Sequence, residues 1–355
     1  MRLKFISLLL CGFTMANVSA QDQHFSQFFA SPLTLNPALT GLFQGKYRVS
    51  FIHRQQWQQV LDSPYSTFSA AADFRYYLNP NKRRYKDAFG VGMLFYTDRV
   101  SSVNFSTNQI MLSGAFHKAL DPRSHQTLSL GIQLGIAQRN LSYDELSFED
   151  EFNGEDGYTI GVSDERDLLP ENNFAFGDYQ IGLNYSYAPE DGLGIFLGAA
   201  LHHIGEPEQS FFFEETEDEP IQVSNKLPRR YSGYLNLRLP LGKYVEFHPR
   251  VLAYSQGPHL ALNGGANFRF LFNQDRGLAL HMGGWVRPVR SEEDISVSSA
   301  IALLGFEYSN FIVGFSYDIG LDQLPQNWRQ RNSFEISVSY LGNADDTEAV
   351  PCPKF

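Results

Sequence analysis

Nucleophilic catalysis needs a nucleophile, a base and an orienting group brought together, and Ser113 with His117 supplies the first two residue types. No motif in the chain fixes a nucleophile, so the sequence is read as non-catalytic. His202 and His203 adjoin on a predicted strand and should point to opposite faces, one to the interior and one to the outer boundary or rim, which argues against a shared metal ion. The acidic run from Glu149 to Gly157 lacks the ligand spacing of an EF-hand loop and reads as a solvated face. No metal or cofactor is expected. Recognition is the better-supported chemistry: Phe148, Phe152, Phe211, Phe212 and Phe213 sit among carboxylates in two long connections. An exposed aromatic cluster of this kind is a hot spot for a protein partner, or else it folds its loop inward or plugs an interior.

The elements that position these residues begin with an export signal. Arg2 and Lys4, the apolar run Phe5 to Phe13, and Val18-Ser19-Ala20 before Gln21 form the secretory layout, with cleavage expected after Ala20. Leu9 and Leu10 precede Cys11 where a lipoprotein signal would need small residues. After cleavage Cys352 stands alone, so no intramolecular disulfide is expected even in an oxidising compartment. A formal net charge of −11 excludes the basic surface that nucleic acid selects.

Beyond the signal no apolar run approaches the roughly 20 residues of a spanning helix. Short segments of period two recur instead. From Asp178 to Tyr187, Tyr179, Ile181, Leu183, Tyr185 and Tyr187 share one face, and from Thr127 to Gln138, Leu128, Leu130, Ile132, Leu134 and Ile136 do the same. A soluble sandwich would show this alternation too. A barrel is favoured because the polar faces are rich in Gly, Ser, Asn and Gln with scattered charges such as Arg139, Asp178, Arg238 and Asp318, and because 30 Phe and 18 Tyr suit a lipid-facing band with aromatic girdles.

Strands are predicted at 45–54, 65–78, 87–99, 103–118, 126–140, 174–188, 192–204, 229–241, 244–256, 258–272, 277–289, 294–307, 310–320 and 333–341, about fourteen in all. The apolar parity breaks between Met111 and Leu112 and between Leu303 and Leu304, which predicts a bulge or a misplaced boundary at each. Short connections near 79–86, 119–125, 189–191, 242–243, 273–276 and 308–309 carry turn chemistry and should face the periplasm. The long acidic gaps 141–173 and 205–228 should be extracellular. The chain is thus expected to be all-β: signal peptide 1–20, N-terminal periplasmic segment 21–44, transmembrane antiparallel outer-membrane barrel 45–341, periplasmic tail 342–355.

The segment ahead of the first strand sets aromatics among Gln, Ser and Asn. Asn36 before Pro37 should cap a helical turn that Gly41 ends, the whole packing as a lead-in against the periplasmic end of the barrel. His24-Phe25-Ser26-Gln27-Phe28, the run Pro32 to Gly41 with Asn36-Pro37, and Arg54 with Gln56-Trp57 resemble the start of the PorP/SprF family of Bacteroidota outer-membrane proteins. The likeness continues through Gly131-Ile132-Gln133-Leu134-Gly135, His203-Ile204-Gly205-Glu206-Pro207, Phe334-Glu335-Ile336-Ser337 and Cys352-Pro353-Lys354-Phe355.

The resemblance implies a barrel of the type IX secretion and gliding-motility system. Its partners would be a secreted surface protein with a type IX C-terminal domain, held at the cell surface, or periplasmic and lipoprotein components of the machinery. A passive pore for small solutes is the alternative. An anchoring barrel plugged by its loops or N-terminal segment should be closed to ions.

Overall fold

A computed structural model describes residues 22, 24–57, 64–78, 84–100, 104–143, 146, 148–152, 154, 157, 163, 169–189, 192–211, 225–273, 276–291, 294–321 and 332–342. The signal peptide and nearly all of the C-terminal tail lie outside these residues.

Fourteen antiparallel strands close on themselves in sequence order, the first pairing with the last. They are β1 (Tyr47–Gln56), β2 (Tyr65–Tyr77), β3 (Ala88–Val100), β4 (Phe105–Ala119), β5 (Gln126–Leu141), β6 (Asn173–Tyr187), β7 (Gly194–His202), β8 (Arg230–Pro240), β9 (Val245–Gln256), β10 (His259–Asn273), β11 (Leu278–Ser291), β12 (Asp294–Tyr308), β13 (Phe311–Gly320) and β14 (Ser333–Gly342). Each strand is long enough to cross a bilayer at a tilt. Among the described residues no helix is long and apolar enough to do so.

The direction of the alternation separates barrel from sandwich. On β5, Leu130 and Ile136 are 53% and 63% exposed, whereas Thr127, Ser129 and Gln133, at alternate positions of the same strand, are buried. Apolar residues outside and polar residues inside is the pattern of a lipid-facing barrel and the reverse of a water-soluble one.

Neither predicted bulge exists where the parity breaks. β4 pairs with β3 and β5 without interruption across Met111 and Leu112. Met111 points inward and is buried against Leu33, Ala71 and Leu94, while Leu112 faces out. Leu303 is likewise an inward apolar residue, packed with Leu39 and Leu42, and Leu304 faces out. The period of two is intact; the interior is locally apolar. The register does shift elsewhere, where Arg287 and Pro288 of β11 pair with Ser299 and Val297 of β12.

Inward positions such as Met111 and Leu303 are apolar because the chain itself packs against them. Residues 24–46 are not a lead-in outside the short-turn end. They run through the lumen from the end bearing the long loops to the end bearing the short turns, and then enter β1. Phe25, Phe28, Leu33, Leu35, Leu39, Leu42 and Phe43 are all buried there against inward side chains of the wall, among them Ile52, Tyr234, Leu252, Trp285 and Ile312. Each such side chain withdrawn from water contributes on the order of 1.5–3 kcal/mol before ordering costs.

Candidate functional site

The interior segment is built as predicted at one point. Asn36 is extended, its Oδ1 accepts the Ala38 N–H at 2.8 Å, Pro37 opens a single turn through Leu39, and Gly41 follows at φ +74°. The Asn36 amide also donates to the carbonyls of Leu183 on β6 and Ala199 on β7, at 3.0 and 3.2 Å. Gly131 and Gly182 make this approach possible, because a Cβ on either would collide with the Pro37 backbone or the Asn36 side chain.

Above this turn, two inward carboxylates and two guanidiniums hold the motif His24 to Gln27. Glu335 on β14 accepts the backbone N–H groups of Ser26 and Gln27 at 2.6 and 2.8 Å. Arg54 on β1 donates to the His24 carbonyl at 2.8 Å, to Ser26 Oγ at 3.1 Å, and to Glu335 and Asp318 at 2.9 and 3.4 Å. Arg287 on β11 donates to Asp318 at 3.1 Å and to Ser26 Oγ at 2.5 Å. Buried charges demand such pairing, since an unpaired one would carry its whole desolvation penalty.

Below the turn, Asp73 on β2 accepts the Gly41 N–H at 2.7 Å and pairs with Arg48 on β1 at 2.7 Å. Arg75 donates to the carbonyls of Gly41 and Phe43. His117 spans Ser129 Oγ and the Thr40 carbonyl, both at 2.8 Å. Its Nε2 faces a carbonyl and so carries the proton, leaving Nδ1 to accept from Ser129. His117 therefore holds the segment rather than serving Ser113.

At the mouth, His203 lies between two carboxylates, with Nε2 2.5 Å from Asp22 and Nδ1 3.0 Å from Asp178. Arg230 pairs with Asp22 at 3.1 Å. The expectation that His202 and His203 diverge is not met. β7 ends at His202, and His203 adopts φ +55°, which returns its ring to the interior; both side chains are buried. Burial opposes charge on His203, but Asp22 and Asp178 outweigh it and hold the imidazole at about 9. Burial likewise opposes charge on Asp22, and His203 with Arg230 overcomes it, holding the carboxyl well below its ordinary value. Among the described residues no group of three or more His, Cys, Asp and Glu side chains is arranged to hold a metal ion.

The structure brings His24, Phe25, Ser26, Gln27, Asn36, Pro37, Gly41 and Arg54 together in the lumen. Trp57 stands apart, just past the end of β1, with φ +62° and edge-on to Tyr65 at 4.9 Å. Of the loop aromatics, Phe148 precedes the short turn Glu149–Glu151, Phe152 is exposed, and Phe211 packs on Phe174 and Phe105 at 4.9 and 6.5 Å. Phe212 and Phe213 fall outside the described residues.

Sequence reasoning missed Asp22, Arg48, Asp73, Asp178, His203, Arg287, Asp318 and Glu335 as holders of the segment. For the six on strands the signal was a charge at an inward position, which reads equally well as the lining of a wet channel; Asp22 and His203 lie outside the strands.

Residues 17–340 match the profile of the family described as type IX secretion system membrane protein PorP/SprF. No curated relative matches the chain. Similar solved structures include a Pseudomonas aeruginosa FadL homologue, at 9% identity over 86% of this chain and 92% of that one, TM-score 0.48. The P. putida toluene transporter TodX follows at 10% identity over 87% and 92%, TM-score 0.43, and BamA from Haemophilus ducreyi lacking POTRA domains 1-3 at 10% over 83% and 70%, TM-score 0.41. With a closed fourteen-stranded barrel, an N-terminal motif built into its core, and a family match spanning nearly the whole length, this chain belongs to the PorP/SprF family of type IX secretion system membrane proteins.

Proposed function

We propose that this protein is exported by its cleaved signal peptide to the outer membrane of a Bacteroidota cell, where it serves type IX secretion and gliding as a closed anchoring barrel without turnover. Its short turns face the periplasm and touch periplasmic or lipoprotein components of the machinery; its long acidic loops face outward and retain a secreted surface protein, an adhesin, through that protein's C-terminal domain. One observation carries this reading: the lumen is occupied by the chain's own residues 24–46, held by buried ion pairs and apolar contacts on many strands. An occupied lumen suits a rigid platform and opposes a passive solute pore.

The test is a mild-detergent pull-down of the tagged protein from native outer membranes, read by mass spectrometry, together with conductance in planar bilayers. Recovery of a large secreted protein through its C-terminal domain, with a closed barrel, is the expected result. Periplasmic machinery recovered alone moves the role to the machinery itself, and a barrel that conducts and binds nothing overturns the proposal in favour of a pore.

A further inference from the structure

The segment does not fill the whole of the interior. At the long-loop end, between Phe25 of the segment and the inward faces of β3 to β6, lies a cavity of about 280 Å³ whose wall includes Tyr96, Asp98, Phe105, Arg139 and Phe176. Its charges are of two kinds. His203 and Arg230 are neutralised at one side by Asp22 and Asp178. Asp98 and Arg139 do not: among the described residues Asp98 accepts only the Thr67 hydroxyl, at 2.6 Å, and Arg139 has no carboxylate partner, its guanidinium lying over the Phe105 ring at 5.7 Å with Nε buried and unbonded.

The strand register sets these two side by side. Asp98 of β3 is opposite Thr107 of β4, and Thr107 is opposite Arg139 of β5. One strand therefore intervenes, which separates the two backbones by roughly 10 Å at the usual strand spacing. A partly buried carboxylate and guanidinium, each without its own counter-ion, facing one cavity with aromatic walls, form a complementary pair of charge sites. The Tyr254 hydroxyl and His24 Nε2 line the same cavity without hydrogen-bond partners among the described residues.

We infer that this cavity binds a small zwitterion bearing an apolar or aromatic side chain, its ammonium on Asp98 and its carboxylate on Arg139. The volume lies just below that of pockets for drug-sized ligands, about 300–1,000 Å³, and limits the guest to the size of an aromatic amino acid or a dipeptide. This assignment goes beyond the anchoring role and does not depend on it.

The experiment is titration calorimetry of the full mature barrel in detergent with alanyl-phenylalanine, its N-acetyl derivative and its C-terminal amide. The free dipeptide should bind, and each cap should weaken binding tenfold or more. Asp98→Asn should abolish the penalty for N-acetylation, and Arg139→Gln the penalty for amidation, each variant first shown to migrate as a folded, heat-modifiable barrel. If Arg139→Gln fails that check, Arg139→Lys, which keeps the charge, should retain the preference for the free carboxylate. Equal affinity for all three probes, or no heat from any at millimolar concentration, overturns the inference. So does loss of binding on one cap but not the other, which would leave a site for a single charge.

Discussion

Gln27 and Glu335, 308 residues apart in the chain, are joined twice: the Gln27 backbone N–H donates to Glu335 Oε2 at 2.8 Å, and its side-chain amide donates to the Glu335 carbonyl at 3.3 Å. The segment that precedes β1 is thereby tied to the last strand of the barrel. Removing the carboxylate leaves the buried Arg54, among the described residues, with Asp318 at 3.4 Å as its one carboxylate partner. Glu335→Ala should lower the unfolding free energy by about 3–5 kcal/mol, the range for breaking a buried ion pair from one side, as read by urea denaturation in detergent.

A barrel whose own residues fill its lumen should conduct little. Deletion of residues 22–40 should give discrete channel openings in planar bilayers where the intact chain gives none.

Single methyl groups should discriminate the seat of the segment from the lipid face. Gly131→Ala and Gly182→Ala place a Cβ against Pro37 and Asn36, whereas the nearest atom to a Cβ at Gly114 is 3.7 Å away. The first two should each cost about 1–3 kcal/mol and raise conductance; Gly114→Ala should do neither.

Met111 and Leu112 are adjacent yet differ in surroundings, one buried against Leu33 and one facing lipid. Met111→Ala should cost about 2–5 kcal/mol in chemical denaturation, and Leu112→Ala much less.

The Asp22–His203 contact should make stability depend on pH. His203 is raised from 6.5 unfolded to about 9 folded, so its contribution is complete below about 6.5 and is lost as pH rises through 9. Asp22 is lowered from 3.8, so its contribution is present above that value and is lost as pH falls through the depressed folded one. The contact is strongest between these limits. The gap in melting temperature between the native chain and His203→Asn should be widest at pH 5 to 6.5 and should narrow by pH 9.5, with roughly 3 kcal/mol as the upper bound.

The period of two, read locally, determined the number of strands, their bounds to within two residues, and which end carries the long loops, because a strand's lipid face repeats every second residue whatever lies on the other side. The residues 178–187 were legible in this way without any partner strand. The contents of the lumen were not. Only the tertiary structure decided that residues 24–46 lie inside, that Met111 and Leu303 are inward rather than bulged, and that His203 turns back into the interior. Each of these depends on contacts between positions far apart in the chain, such as Ser26 with Asp318 and Gln27 with Glu335. An inward charge looks the same in sequence whether it meets water or the backbone of a distant segment.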